Sequence, residues 1–389
     1  MRQLFLAATG QNRGKTTAAL GLIDGFRRRG YHTGFTKPVG QRTMFIDGEP
    51  ADEDAVLMRT VFDLPDPYAA MSPIHIPRGF TKRYLAGEVV EDMEGPILAA
   101  QRYHAEHDIW LIEGTGHAGV GAVVGLSNAH VASLLGAPAV IISEGGVGRP
   151  IDEIVLNASH FAAHGVPVAG AIVNKIRVDE SPGIEKTLER GLALHGIPLL
   201  GVLPYRPILS NPTLDMVLRG VHGRLICPGP DLDRVIDGVA IGAMEPKHML
   251  EHIGPGTLVI LPGDREDAIL TLAAAHLPDT APSPAIEHLV TLVDETPGAI
   301  DAGPEGKALG MVLTGGYEPR PEVVAAVRSA NLFTAIVSED TYTVASEVHD
   351  LLVKTHPTDF GKIGLIKELV WEHLHMDRFL DVAAEARLD

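Results

Sequence analysis

Residues Thr9-Gly10-Gln11-Asn12-Arg13-Gly14-Lys15-Thr16-Thr17 follow the apolar run Leu4-Phe5-Leu6-Ala7-Ala8 and precede Ala18-Ala19-Leu20-Gly21-Leu22-Ile23. A short apolar strand, a glycine turn ending in Gly-Lys-Thr and a helix bring successive backbone N–H groups and a helix amino terminus onto one point, the arrangement that cradles a polyphosphate. A nucleoside triphosphate held there would meet Lys15 at its β- and γ-phosphates. The Thr16 hydroxyl would ligate Mg²⁺, and Gly14 would let the backbone approach without a Cβ in the way. Gly10, Gln11, Asn12, Arg13 and Thr17 complete the candidate cradle. The pattern departs in one place, because the first glycine of G-x-x-x-x-G-K-[ST] falls on Thr9, with Gly10 one residue later. The competing explanation is an ordinary strand-turn-helix connector that happens to carry Gly-Lys-Thr.

At 389 residues the chain is long enough for two or three domains, each with its own core. Hydrophobic residues make up 45% and charged residues 21%, a globular balance. No apolar run approaches the ~20 residues of a membrane span. A formal charge of −18 would repel a nucleic-acid backbone, and Arg27-Arg28-Arg29 reads as the basic end of the first helix. Neither nucleic acid nor membrane is therefore expected as a partner. Cys227 is the single cysteine, so no intrachain disulfide can form, and no Cys/His spacing suggests a zinc site despite 18 histidines. Met1-Arg2-Gln3 runs straight into the first strand and leaves no room for a signal peptide, which points to the cytoplasm.

After the first helix, closed by Gly30, a second strand from Thr33 leads to Lys37-Pro38-Val39-Gly40. Lys37 then stands at a strand's carboxyl end, where open parallel sheets bind ligands and where a lysine can stabilise a transferring phosphoryl group. It can equally be a surface lysine before a proline turn. Asp52, Glu53 and Asp54 open the helical run Val56-Leu57-Met58, either as capping and dipole residues or as Mg²⁺ ligands. Residues 65 to 90, broken by Pro65, Pro67, Pro73 and Pro77, read as a lid or substrate loop outside the core. Ile109-Trp110-Leu111-Ile112-Glu113-Gly114-Thr115-Gly116 reads as a buried strand whose terminal Glu113 would reach Mg²⁺ directly or through water. Strands also end at Ser143 and at Asn174-Lys175, the latter a candidate purine contact. Arg177 stands where guanine readers carry Asp, which favours ATP over GTP. With Leu199 to Pro204 as the last strand, buried strands alternating with helices predict an α/β fold: a doubly wound, mostly parallel sheet over residues 1–205.

Residues 206–214, rich in proline, read as a linker to a second, smaller α/β domain over 215–345. There the strands Gly256 to Pro262 and Gly310 to Leu313 run into Asp264-Arg265 and Thr314-Gly315-Gly316. Two glycine turns at strand ends, one with an Arg, can form a second ligand pocket, or a capping Asp can simply pair with its neighbour. Residues 280 to 308 read as loop around one strand, His288 to Val293. In the segment 346–389, apolar Ile363, Ile366, Leu369, Val370 and Leu374 predict an amphipathic helix against the second domain or a partner subunit.

Gly14-Lys15-Thr16, Lys37-Pro38-Val39, Glu113-Gly114 with Gly116, and Asn174 together resemble the dethiobiotin synthetase-like branch of phosphate-loop ATPases, which includes the cobyrinic and cobyric acid amide synthases. Asp264-Arg265 and Thr314-Gly315-Gly316 resemble the DRTGG domain. The two in this order, joined through Leu209-Ser210-Asn211-Pro212-Thr213, are similar to the amino-terminal regulatory half of long bacterial phosphate acetyltransferases, whose acyltransferase domain would need further residues beyond Asp389. The resemblance implies ATP and Mg²⁺ as cofactors, Lys15 and Lys37 as catalytic residues, and Thr16, Asp54 and Glu113 as metal ligands. Gln41, Arg42 and His117 depart from the synthetase pattern around its own substrate.

The resulting expectation is a Mg²⁺-ATP-binding protein, as a homo-oligomer, that couples nucleotide to a regulatory second domain. The alternatives are an ATP-dependent ligase or carboxylase acting on a small carboxylate or amine, and a regulatory subunit of a separate acyltransferase partner.

Overall fold

The apolar run ahead of the glycine turn becomes strand β1 (Arg2–Ala8), an interior strand of a six-stranded sheet. The others are β2 (Thr33–Thr36), β3 (Ile109–Glu113), β4 (Ala139–Glu144), β5 (Val168–Ile176) and β6 (Leu199–Pro204). All pairings are parallel, in the order β6-β5-β4-β1-β3-β2. β3 and β6 are buried along their whole length, as strands covered on both faces must be. The chain runs from β1 to one side of the sheet for β2 and β3, then crosses to the other for β4, β5 and β6. β1 therefore ends at a topological switch point, where neighbouring connections diverge and leave a crevice.

The computed structural model describes residues 1–89, 92–177, 182–276, 308–351 and 353–385. The expected strand at His288 to Val293 lies outside them. The described chain divides into Met1–Arg206 with Thr355–Asp389, and Pro207–Lys354. Among the described residues no helix is long and apolar enough to cross a membrane.

Two expectations need correction. The segment after Pro65 is not all loop: Tyr68–Met71 and Phe80–Leu85 are helical, and Tyr68, Ala70, Met71, Ile74 and Phe80 are buried. Its prolines sit beside the short elements, at Pro67 ahead of Tyr68 and Pro73 ahead of Ile74, where a missing N–H costs little. The helix Phe360–His373 belongs to the first unit rather than the second, and it packs on the first helix, Lys15–Arg28. A Cβ on Gly21 would lie 2.2 Å from Val370 Cβ, so the two backbones approach as closely as they do only because residue 21 is glycine. Arg28 and Arg29 hold this interface from the rim, over the Trp371 ring at 5.2 and 5.8 Å and paired with Glu368 and Asp377.

The second unit is built on β7 (Arg224–Cys227), β8 (Gly238–Ile241), β9 (Thr257–Pro262), β10 (Gly310–Thr314) and β11 (Phe333–Ile336). Their order is β7-β11-β10-β9-β8, parallel except for the edge strand β7. Val259 and Leu261 point into one apolar cluster while Leu258 and Ile260 point into another, the two-residue period of a strand covered on both faces. The fold is thus α/β in both units, with a mostly parallel sheet in each.

Candidate functional site

The turn between β1 and the first helix is left-handed at Asn12 (φ 57°) and Gly14 (φ 94°). Gly14 is required twice over, because a Cβ there would also fall 2.1 Å from Asn174 Nδ2. Among the described residues, the N–H groups of Gly14, Lys15, Thr16 and Thr17 donate to no carbonyl or side chain. Four open donors at a helix amino terminus carry a partial positive charge into the crevice. Lys15 is buried beside them with no hydrogen bond or ion pair among the described residues. Burial and then the neighbouring Lys37 ammonium push its pKa down to about 8.

Thr9 occupies the place of the missing glycine because its hydroxyl is used. Oγ1 donates to Glu153 Oε2 at 2.7 Å and lies 3.0 Å from Ser143 Oγ at the end of β4, which anchors the start of the turn to the next strand. Gln11 is exposed, and Gly10 packs against the Arg13 side chain. Arg13 pairs with Glu144, and Glu144 also binds Lys175 Nζ at 2.8 Å.

Thr16, Lys37, Asp54 and Glu113 come from four separate elements and meet at one point. Thr16 Oγ1 donates to Glu113 Oε1 at 2.9 Å and to Asp54 Oδ1 at 3.3 Å. Lys37 Nζ donates to Asp54 Oδ2 at 2.7 Å and to Glu113 Oε1 at 2.8 Å. Burial would depress the Lys37 pKa, but Asp54 and Glu113 outweigh it and hold the ammonium above its usual range. For Glu113 burial wins and pushes the carboxyl up to about 7, whereas for Asp54 the Lys37 ammonium overcomes burial and lowers it. Glu113 Oε2 is buried without a hydrogen-bond partner among the described residues. Among the three acidic residues at this helix start, Asp54 faces the cluster. Asp52 caps the helix by accepting from Asp54 N at 3.0 Å, and Glu53 turns out to Arg42 at 3.3 Å.

Asn174 and Lys175, expected at a base, both hold the phosphate loop. Asn174 Nδ2 donates to Arg13 O at 3.0 Å, and Lys175 Nζ donates to Asn12 O at 3.0 Å. Asn174 Oδ1 also accepts from Lys175 N at 2.8 Å, so each end of its side chain has a partner within the protein. Gln41, Arg42 and His117 are exposed. Sequence reasoning missed Glu153, Ser143 and Glu144 as loop supports; a Thr in the glycine position was the one sign that something behind the turn needed a hydroxyl.

In the second unit, Arg265 is tied to Asp267 by paired bonds of 2.9 Å and to Met244 O at 3.2 Å. Its partner is therefore Asp267 and not the adjacent Asp264. Thr314 Oγ1 bonds Thr341 Oγ1 at 2.7 Å. Gly315 and Gly316, at φ 82° and 71°, donate their N–H groups to Glu339 O and Val337 O, both at 2.8 Å. These two amides are spent on backbone and do not form an open anion nest.

A glycine turn at the switch point of a parallel sheet, open amides at a helix start and a lysine among them define a phosphate-loop α/β protein. Residues 2–213 match the family model described as an AAA domain, AAA_26, and the chain belongs to that family. Residues 216–351 match the DRTGG domain. Similar curated proteins are named phosphate acetyltransferase. The one from Pseudomonas putida is 27% identical over 96% of this chain and 51% of its own length. Those from Nitrosomonas europaea and Deinococcus radiodurans are 23% and 29% identical over 97% and 72% of this chain, and 51% and 40% of their own lengths. The chain spans about half the length of the curated relatives it matches. Among solved structures, the cell division ATPase MinD of Pyrococcus furiosus overlaps 54% of this chain and 86% of its own at 16% identity and a TM-score of 0.33. The CBS and DRTGG regulatory region of a Clostridium perfringens pyrophosphatase overlaps 42% and 63% at 15% identity and a TM-score of 0.28. Scores this low carry no inference.

Proposed function

We propose that the first unit binds ATP with Mg²⁺ and that the bound nucleotide acts on the second, DRTGG unit, giving a regulatory ATPase related to the amino-terminal region of phosphate acetyltransferases. The observation that carries this reading is Lys15, a buried ammonium without an ion partner among the described residues, beside four amides that those residues leave unspent. Such an arrangement is poorly stable until an anion with several oxygens enters it. The triphosphate would lie on the amides of Gly14 to Thr17 with Lys15 at its β- and γ-phosphates.

The residues present fit a magnesium ion. Thr16, Asp54 and Glu113 offer only oxygen, they lie within hydrogen-bonding distance of one another or of the same lysine, and the second Glu113 oxygen is buried and unpartnered. Those three would hold it, and it would supply charge neutralisation at the phosphates. Lys37 starts on the two carboxylates, positioned to turn its ammonium to charge developing on a transferred phosphoryl group. The nucleotide and a homo-oligomeric assembly are the partners this reading expects.

An ATP-dependent ligase acting on a small carboxylate or amine is a second reading, favoured by Lys37, a buried cation already among carboxylates and able to receive an acidic substrate. Phosphate release separates the two. Strong stimulation by one acid or amine identifies a ligase, and a slow basal rate that no candidate substrate raises identifies the regulator. Nucleotide binding itself is tested by calorimetry on Lys15→Ala, for which ATP affinity should fall by about 10- to 100-fold. Unchanged affinity would remove the basis of both readings.

A further inference from the structure

We propose that Asp66, His104 and His107 form a binding site for a transition-metal dication of the Zn²⁺ class, at the end of the first sheet opposite the phosphate loop. His104 and His107 share a single 3-10 turn, His104–Glu106 with its following residue, just ahead of β3. A spacing of three residues on such a turn eclipses the two rings and sets both on one face. Asp66 reaches them from the loop between the helices Glu53–Phe62 and Tyr68–Met71. One donor atom from each residue lies within 4.8 Å of the other two, and the three residues are 1%, 0% and 7% exposed.

Their hydrogen bonding is what marks the cluster as a ligand set. Asp66 Oδ2, both ring nitrogens of His104 and Nε2 of His107 are buried without a hydrogen-bond partner among the described residues. Buried polar atoms are nearly always satisfied, and four orphans on three side chains facing one another are exceptional. The Ala70 carbonyl, which accepts from Thr36 Oγ1 at 2.9 Å, also lies near His104 and has a second lone pair for the N–H of one ring nitrogen, which leaves the lone pair of the other nitrogen for a ligand. His107 Nδ1 lies 3.3 Å from His104 O, so that donating there leaves Nε2 with its lone pair toward Asp66. Metal-ligating histidines characteristically carry such an outer hydrogen bond on the far nitrogen.

The competing arrangement is a plain ion pair between protonated His107 and Asp66. Their 3.4 Å separation is long for a charge-assisted bond, and that pair does nothing for the unprotonated nitrogen of His104, a buried lone pair with no donor among the described residues. A shared dication satisfies all three side chains at once.

The surroundings hold the rings in place and keep the space open. His32 stacks on His107 at 4.4 Å and 7°, and Trp110 stacks on His104 at 5.4 Å and 19°. Gly34 sits in the middle of β2, where glycine weakens a strand, and a Cβ there would lie 2.5 Å from His104 Nδ1. A surface cavity of about 300 Å³ lined by His32, Thr33, Leu64 and Pro65 brings solvent to the outer face of His32 and to the residue before Asp66. Two imidazoles and one carboxylate select a borderline-soft ion with three protein ligands, whereas Mg²⁺ and Ca²⁺ call for an all-oxygen set. The third ligand lies far from His104-x-x-His107 in sequence, which is why spacing alone gives no zinc pattern.

The test uses the full chain, stripped with chelator and then dialysed against Zn²⁺ in excess Mg²⁺, so that oxygen-only sites are filled. One equivalent of Zn²⁺ per chain is expected, with an X-ray absorption spectrum showing imidazole scattering. Asp66→Asn and His104→Gln should each weaken uptake by about tenfold or more. A wild-type chain that takes up no more Zn²⁺ than His104→Gln, or whose bound zinc lacks imidazole neighbours, would overturn the proposal. If the variants do not fold, zinc-edge anomalous diffraction from wild-type crystals decides it: a peak among the three side chains supports the site, and no peak there at saturating Zn²⁺ refutes it.

Discussion

At the end of β1 a strand runs into glycine and then a helix, and at the end of β10 another strand runs into Thr314-Gly315-Gly316. At the first turn four amides and a lysine are left open, held so by Asn174, Lys175 and Glu153 acting from behind. At the second turn the glycine amides are bonded to Glu339 and Val337, and Thr314 to Thr341. Positive φ is common to both, so glycine is needed in both. What separates a binding turn from a structural one is where its N–H groups go, and that depends on residues well outside the turn: 144 to 163 positions away at the first and 27 away for Thr314 at the second.

The difference can be broken or sharpened by substitution, starting with the largest effect. Lys15→Ala should remove most ATP affinity by calorimetry while leaving the melting temperature unchanged or raised, since a buried unpaired ammonium is lost. Gly14→Ala meets both a forbidden φ and the Asn174 side chain, and should cost about 1–3 kcal/mol in denaturant unfolding together with nucleotide binding. Adding Asn174→Ala relieves the clash but not the φ, so recovery should be partial. Gly315→Ala should cost about 1–2 kcal/mol, from its φ of 82°, with ATP affinity untouched. Equal loss of ATP binding from Gly14→Ala and Gly315→Ala would mean that the two turns are not different in kind.

Acid should act on the second unit through its arginine pairs. Arg265 holds the Asp267 carboxyl below its ordinary value, and Arg320 does the same for Glu266. A carboxylate depressed in the folded state stabilises it above the unfolded pKa, and that contribution is lost as pH falls through the folded value. Unfolding followed between neutral pH and the acid side of the carboxylate range should therefore show a pH dependence that Arg265→Ala reduces. The smallest effect expected is on the helix Phe360–His373, where Gly364 has open space around it: Gly364→Ala should stabilise by about 0.5–1 kcal/mol.

Much of this was legible in the sequence because it is local. Apolar runs ending in Gly, Glu or Asn mark the strands, and their alternation with helices gives the parallel sheet. Lys15, Thr16, Lys37, Asp54 and Glu113 were identifiable because each stands at a strand end or helix start, and the parallel topology brings those ends together. Three features were not legible. Thr9 looked like a defect, because its partner Glu153 lies across a strand and a helix. Asn174 reads as a candidate base contact, and nothing in a strand-end Asn-Lys says that its side chain will also bond the phosphate-loop backbone at Arg13 O. The carboxyl-terminal helix had a readable apolar face but no readable partner; Gly21 and Gly25, mid-helix glycines that cost stability, were the sign that another helix comes close.

The central claim is that the turn before Lys15 is an open cradle for a triphosphate. A crystal structure of the chain with a non-hydrolysable ATP analogue and Mg²⁺ tests it most directly. The account predicts phosphate oxygens on the amides of Gly14 to Thr17, Lys15 at the β- and γ-phosphates, and the ion beside Thr16. A saturated crystal with this turn empty, or with the nucleotide seated only at the Thr314-Gly315-Gly316 turn, would contradict it.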